Sequence, residues 1–117
     1  MSTLRISLSI EDTATFKRSV PTISVTTAAP EFDYRIISIA TSEATYSIPS
    51  DITAPGYLFL RNMDATNYVQ VGFATTVYHI RLLAGQVALL PIEPGETDLF
   101  LKSNTAACDV EIYLRAS

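Results

Sequence analysis

Leu4, Ile6, Leu8 and Ile10 alternate with Arg5, Ser7 and Ser9 at the start of the chain. Strand side chains repeat every two residues, so the four aliphatics share one face of an extended segment. Glu11, Asp12 and Thr13 read as a turn. Two extended pieces follow, residues 16–20 and 22–27, divided by Pro21, whose missing N–H argues for an edge strand or a bend. After Ala28-Ala29-Pro30, residues 34–40 carry Ile36, Ile37 and Ile39 and predict a β-branched strand, and residues 45–48 predict a shorter one closed by Pro49. The stretch between Pro49 and Pro55 reads as a loop. It is the expected boundary between an N-terminal and a C-terminal portion of the sheet.

From Gly56 the alternation is cleaner. Residues 57–61 and 68–73 flank a polar turn and read as a hairpin, and residues 77–82 and 87–92 flank Ala84-Gly85 and read as a second one. Pro94 and Gly95 supply a tight turn ahead of residues 99–102. In the last strand Cys108, Val110, Ile112 and Leu114 face one way while Asp109, Glu111, Tyr113 and Arg115 face the other. Turn signals thus recur roughly every 8 to 12 residues between about eight or nine short strands, the spacing of an antiparallel β-sandwich or a jelly-roll-like barrel. The expected fold class is all-β. No window carries a 3.6-residue apolar period.

Length and composition narrow this picture. A chain of 117 residues buries one core comfortably and two poorly, so residues 1–117 are expected to form one β domain. Within it, residues 1–33 are read as an arm or edge strands and residues 56–117 as a regular hairpin core. Hydrophobic residues make up 48% and charged residues 17%, too apolar for a disordered chain and too weakly charged for a typical helical protein. Lysine occurs only at Lys17 and Lys102, and the net charge is −4. Such a chain lacks the basic surface that neutralises phosphates, so nucleic acid is not an expected partner.

Cys108 is the only cysteine. It permits no internal disulfide and no thiolate cluster, and it reads as a small buried hydrophobe. The first ten residues hold no continuous apolar run, so neither a signal peptide nor a membrane anchor is expected there. With the unpaired thiol, this fits assembly in a cytoplasm.

Candidate chemistry is sparse. His79 is the only histidine, and no G-x-S-x-G nucleophile motif accompanies it. A zinc site needs several His or Cys ligands and finds His79 and Cys108 alone, unless symmetry gathers copies of His79. Glu93, Glu96 and Asp98 are the densest acidic group, but their spacing matches no EF-hand and reads as a solvated turn. The four glycines stand singly, so no phosphate loop is present. Tyr57, Tyr68, Tyr78 and Tyr113 are the candidates for a sugar-binding platform. The residue pattern therefore predicts no catalytic, cofactor-binding or metal-binding residue, no cofactor and no enzymatic activity.

One resemblance adds to this. Gly56-Tyr57-Leu58-Phe59-Leu60-Arg61-Asn62, Asn67-Tyr68-Val69-Gln70-Val71-Gly72, Leu83-Ala84-Gly85-Gln86 and the run from Leu99 to Ala107 together resemble the small β-rich virion structural proteins of tailed bacteriophages. The resemblance covers about half of the chain. It implies a non-catalytic virion component, working as a homo-oligomer on the capsid as a decoration or cement protein, or on the tail or neck. The implied partners are other copies of itself and the major capsid protein or another virion protein, with no nucleic acid and no membrane. Few charges and Ser/Thr-rich faces agree with repeated packing of subunits. The alternative expectation is a carbohydrate- or receptor-binding β-sandwich module.

Overall fold

The computed structural model describes residues 2–27 and 30–117. They fall into two compact units, Met1–Pro30 and Glu31–Ser117.

In the first unit β1 (Ser2–Asp12) pairs antiparallel with β2 (Phe16–Thr27). The turn is built by Asp12, whose Oδ1 accepts from the Ala14 N–H at 3.0 Å and whose carbonyl accepts from the Thr15 N–H at 3.3 Å; this is the local turn chemistry that favours Asp at such positions. Pro21 does not split the second strand. Ile6 pairs with Ile23 and Leu8 with Val20, so Ser7 opposes both Pro21 and Thr22, a bulge in which the missing proline N–H breaks no ladder bond. The extra residue shifts the side-chain phase by one. Phe16 and Val20 thereby join Ile23 and Val25 on the face that carries Leu4, Ile6, Leu8 and Ile10. The result is a hairpin apolar on one side only, with Leu8 52% and Phe16 54% exposed.

The second unit holds β3 (Phe32–Ile39), β4 (Ala44–Ser47), β5 (Pro55–Asn62), β6 (Val69–Gly72), β7 (Ile80–Leu82), β8 (Val87–Pro91), β9 (Asp98–Ser103) and β10 (Cys108–Ala116). Their antiparallel pairs nest: β3 with β10, β4 with β9, β5 with β8 and β6 with β7. This is one long hairpin with its tip between β6 and β7. Rolling it up adds the β10–β5 and β6–β9 pairs and produces two four-stranded sheets, β3-β10-β5-β8 and β4-β9-β6-β7. That connectivity is a jelly roll.

The all-β sandwich expected from the alternation is present, while the local pairing differs from the expected one. The segments around residues 57–61 and 68–73 are not a hairpin, since β5 and β6 lie in different sheets; nor are β7 and β8. In a rolled ribbon most consecutive strands cross from sheet to sheet, so a turn between two strands does not make them partners. The loop at residues 49–55 is likewise no boundary. Pairing with β10 and β9 draws β3 and β4 into the same sandwich as the C-terminal half, and the chain divides at Pro30 instead.

Between the sheets Ile39, Leu58, Leu60, Val110, Ile112 and Leu114 meet Val69, Val71, Leu82, Leu99 and Leu101, all at most 4% exposed. Each such side chain contributes about 1.5–3 kcal/mol by leaving water. One side of the sandwich is closed by a polar clasp. The Tyr46 hydroxyl on β4 donates to Asp33 Oδ2 on β3 at 2.5 Å, and Arg35 Nε and Nη2 hold both oxygens of the same carboxylate at 2.8 and 3.1 Å. Burial pushes the Asp33 carboxyl up, but the bonds from Arg35 and Tyr46 outweigh it and hold the group below its usual range.

A second knot forms where the chain turns between β6 and β7. Thr76 sits at φ 59°, a left-handed conformation that is strained for a β-branched residue. It is held there by Glu43, whose carboxylate accepts from the Thr76 N–H at 2.8 Å, the Thr75 hydroxyl at 3.0 Å and the Tyr78 hydroxyl. These donors, Tyr78 foremost, lower the Glu43 pKa from the ordinary 4.5, and Glu43 in turn pushes the Tyr78 phenol up to about 12. A carboxyl lowered on folding stabilises the fold above its unfolded value and loses that contribution as pH falls through its folded one. Melting temperature is therefore expected to decline below pH 4.5. In Glu43→Gln the neutral-pH melting temperature should drop and this acid decline become shallower, Asp33 and Asp64 accounting for the remainder because both are also held low. Thermal melts from neutral to acid pH measure both effects.

Candidate interaction surface

The two sheets differ on the faces that point away from the core. On the β4-β9-β6-β7 sheet the register brings Thr45, Ser47, Asp98, Lys102, Gln70 and Arg81 outward, with Phe100 the one large apolar side chain among them. This is the polar outside usual for an antiparallel sheet with one wet face.

The β3-β10-β5-β8 sheet breaks that rule. Cross-strand register sets its outer residues in three rows: Phe32, Arg115, Tyr57, Pro91; then Tyr34, Tyr113, Phe59, Leu89; then Ile36, Glu111, Arg61, Val87. Nine of these twelve are aromatic, aliphatic or proline, and Arg115 in the first row is itself buried, at 5% exposure. Phe32 and Val87 are each 58% exposed and Tyr34 is 52% exposed. The Phe32 and Tyr113 rings pack with centroids 5.9 Å apart, and the Tyr34 hydroxyl donates to Glu111 Oε2 at 2.5 Å. With strands about 4.8 Å apart and alternate residues about 6.8 Å apart, the nine apolar positions cover about 300 Å² in projection, at the lower end of the range of patches that mark interaction sites.

The candidate residues of the sequence stand apart from one another. His79 is exposed just before β7. Cys108 is fully buried, its Sγ 3.7 Å from the Ala106 carbonyl oxygen, and burial pushes its thiol up and away from thiolate. Glu93 and Glu96 border a cleft of about 260 Å³ lined by Phe73, Ile80, Leu90 and Ile92 on the side of the sandwich opposite the clasp; Asp98 opens β9. Among the described residues no three His, Cys, Asp or Glu side chains converge as a metal site would need. The four tyrosines form no single platform. Tyr57 and Tyr113 share the apolar face, whereas the Tyr68 ring lies 4.8 Å from the Arg81 guanidinium and the Tyr78 hydroxyl is engaged by Glu43. No described helix is long and apolar enough to cross a membrane.

The apolar outer face was not foreseen in the sequence, although its signal is there. Tyr34 and Ile36 alternate with Arg35 and Ile37, and Val87 and Leu89 with Ala88 and Leu90: apolar residues on both sides of a strand, in a sheet that leaves one side open. The chain is thus a jelly-roll domain with one wet and one apolar sheet surface, joined in sequence to an amphipathic hairpin. No protein-family model and no curated protein matches it.

Proposed function

We propose that the chain is a non-enzymatic structural subunit of a tailed-phage virion that packs as a homo-oligomer on the capsid, as decoration or cement, or on the tail or neck. The observation that carries the reading is the asymmetry of the sandwich, whose β3-β10-β5-β8 sheet turns aromatic and aliphatic rows outward where a monomer in water would place polar ones. The one-sided hairpin of β1 and β2 supports it as well. A two-stranded ribbon is marginal in water by itself, and the apolar stripe of this one, exposed at Leu8, Ile10, Phe16 and Ile23, suits a second contact, with a neighbouring copy or another virion protein. Jelly rolls serve in capsid and lectin domains alike, so it is the faces rather than the fold that favour assembly.

Light scattering on the purified chain, followed by sedimentation with virions, tests this reading. The expected results are a mass that is a small multiple of 12.8 kDa and recovery in the virion pellet. A strict monomer that stays in the supernatant would overturn it.

A further inference from the structure

Within the apolar face the charges are placed in a particular way. Glu111 and Arg61 are direct cross-strand neighbours on β10 and β5, the two central strands of the sheet, and Ile36 and Val87 flank them on the edge strands. Arg61 is exposed, and among the described residues the one ion pair is Arg35 with Asp33. The next row has the same arrangement, with Tyr113 and Phe59 in the centre and Tyr34 and Leu89 outside.

Resting on the assembly reading above, we propose that two copies pack face to face through this sheet, about a two-fold axis that runs along the strands between β10 and β5. Such an axis exchanges left and right while keeping each row at its own height. Glu111 then faces the partner's Arg61 and Arg61 the partner's Glu111. Tyr113 faces the partner's Phe59, Tyr34 the partner's Leu89 and Ile36 the partner's Val87. In these two rows every apolar residue meets an apolar one and each charge its opposite, the self-complementarity an isologous interface requires, while in the first row Phe32 faces the partner's Pro91 and Arg115 the partner's Tyr57. Sheets stacked this way lie about 10 Å apart with strands within about 30° of each other. The positions nearest the axis, on β10 and β5, are the least displaced by sheet twist, and Glu111 and Arg61 occupy two of them. Their role is to fix register and orientation; the aromatic rows supply the buried area.

Charge reversal tests the arrangement. Glu111→Arg alone sets two arginines against each other on both sides of the axis, and Arg61→Glu alone does the same with glutamates. Each is expected to weaken the dimer at least about tenfold. The double variant Glu111→Arg/Arg61→Glu restores opposite charges across the axis and should recover most of that loss. Sedimentation equilibrium gives the dissociation constants, and circular dichroism confirms that each variant is folded. Leu89→Lys, at an exposed edge position, should disrupt the dimer whatever the charges do.

Single and double reversals that weaken the dimer equally would overturn the two-fold register. An oligomer indifferent to all four variants would overturn this interface while leaving the assembly reading intact. A wild-type monomer would overturn both. Variants that keep their mass but lose the virion pellet would assign the face to another virion protein and overturn the self-pairing.

Discussion

Gly72→Ala is expected to unfold much of the jelly roll at temperatures where the wild-type chain is intact. Gly72 ends β6 and pairs with Phe100 on β9. After it the chain turns at residues 74–77, held by an isolated bridge between Ala74 and Val77, and doubles back over the glycine. A Cβ there would lie 1.7 Å from the Val77 carbonyl oxygen and 2.8 Å from its carbonyl carbon. Both are backbone atoms, so no rotamer change relieves the clash. The return segment must move, and with it Tyr78 and its bond to Glu43. Overpacking of this kind costs about 3 kcal/mol or more, which lowers the melting temperature of a domain this size by about 12–24 °C. Gly95→Ala is the control. A Cβ at Gly95 meets no atom within 4 Å and its φ is not left-handed, so its melt should superpose on that of the wild type.

Asn62→Leu is expected to cost a comparable amount for a different reason. Asn62 points into the sandwich from the end of β5 and is fully buried. Its Nδ2 donates to the carbonyls of Asn67 at 2.8 Å and Leu82 at 3.0 Å, and its Oδ1 accepts from the Asp64 N–H at 3.0 Å. The side chain thus ties β5 to β7 in the opposite sheet and to the loop that carries the chain between them. Leucine fills a similar volume but strands three backbone groups, at about 1–3 kcal/mol for each one that stays buried. A loss of about 3 kcal/mol is expected in chemical denaturation. Asn62→Asp separates hydrogen bonding from shape. Its carboxylate would face two carbonyl oxygens, raising its folded pKa, so this variant should be least stable at neutral pH and recover as the pH falls. A pH-independent loss would show that shape rather than the missing donor is responsible.

These two residues also illustrate what was legible in the sequence. Period-two alternation marked the strands well. Segments read at 34–40, 45–48 and 108–114 became β3, β4 and β10, and the side of the last strand carrying Cys108, Val110, Ile112 and Leu114 is the buried one. Alternation reports which way side chains point, and that is a local property of extended backbone. Pairing is not local. The turn at residues 62–67 resembles a hairpin turn because Asn62 and Asp64 cap it through their own backbone neighbours, Asp64 Oδ2 accepting from the N–H groups of Thr66 and Asn67. The same turn chemistry serves a crossing between sheets. Pro21 marked a break in the pattern, but that the break is a bulge gathering the apolar residues onto one face follows only from the register with β1.

By itself, then, the sequence determined an all-β chain, the positions of most of its strands and the buried side of the last one, because composition and side-chain period act within a few residues. The tertiary structure decided the rest. Long-range pairing of β3 with β10 and β4 with β9 closed the roll and moved the division of the chain to Pro30. Neighbouring strands then aligned Tyr34, Tyr113, Phe59 and Leu89, drawn from four separate segments, into one row on an open face. Such a surface exists only once the strands are side by side.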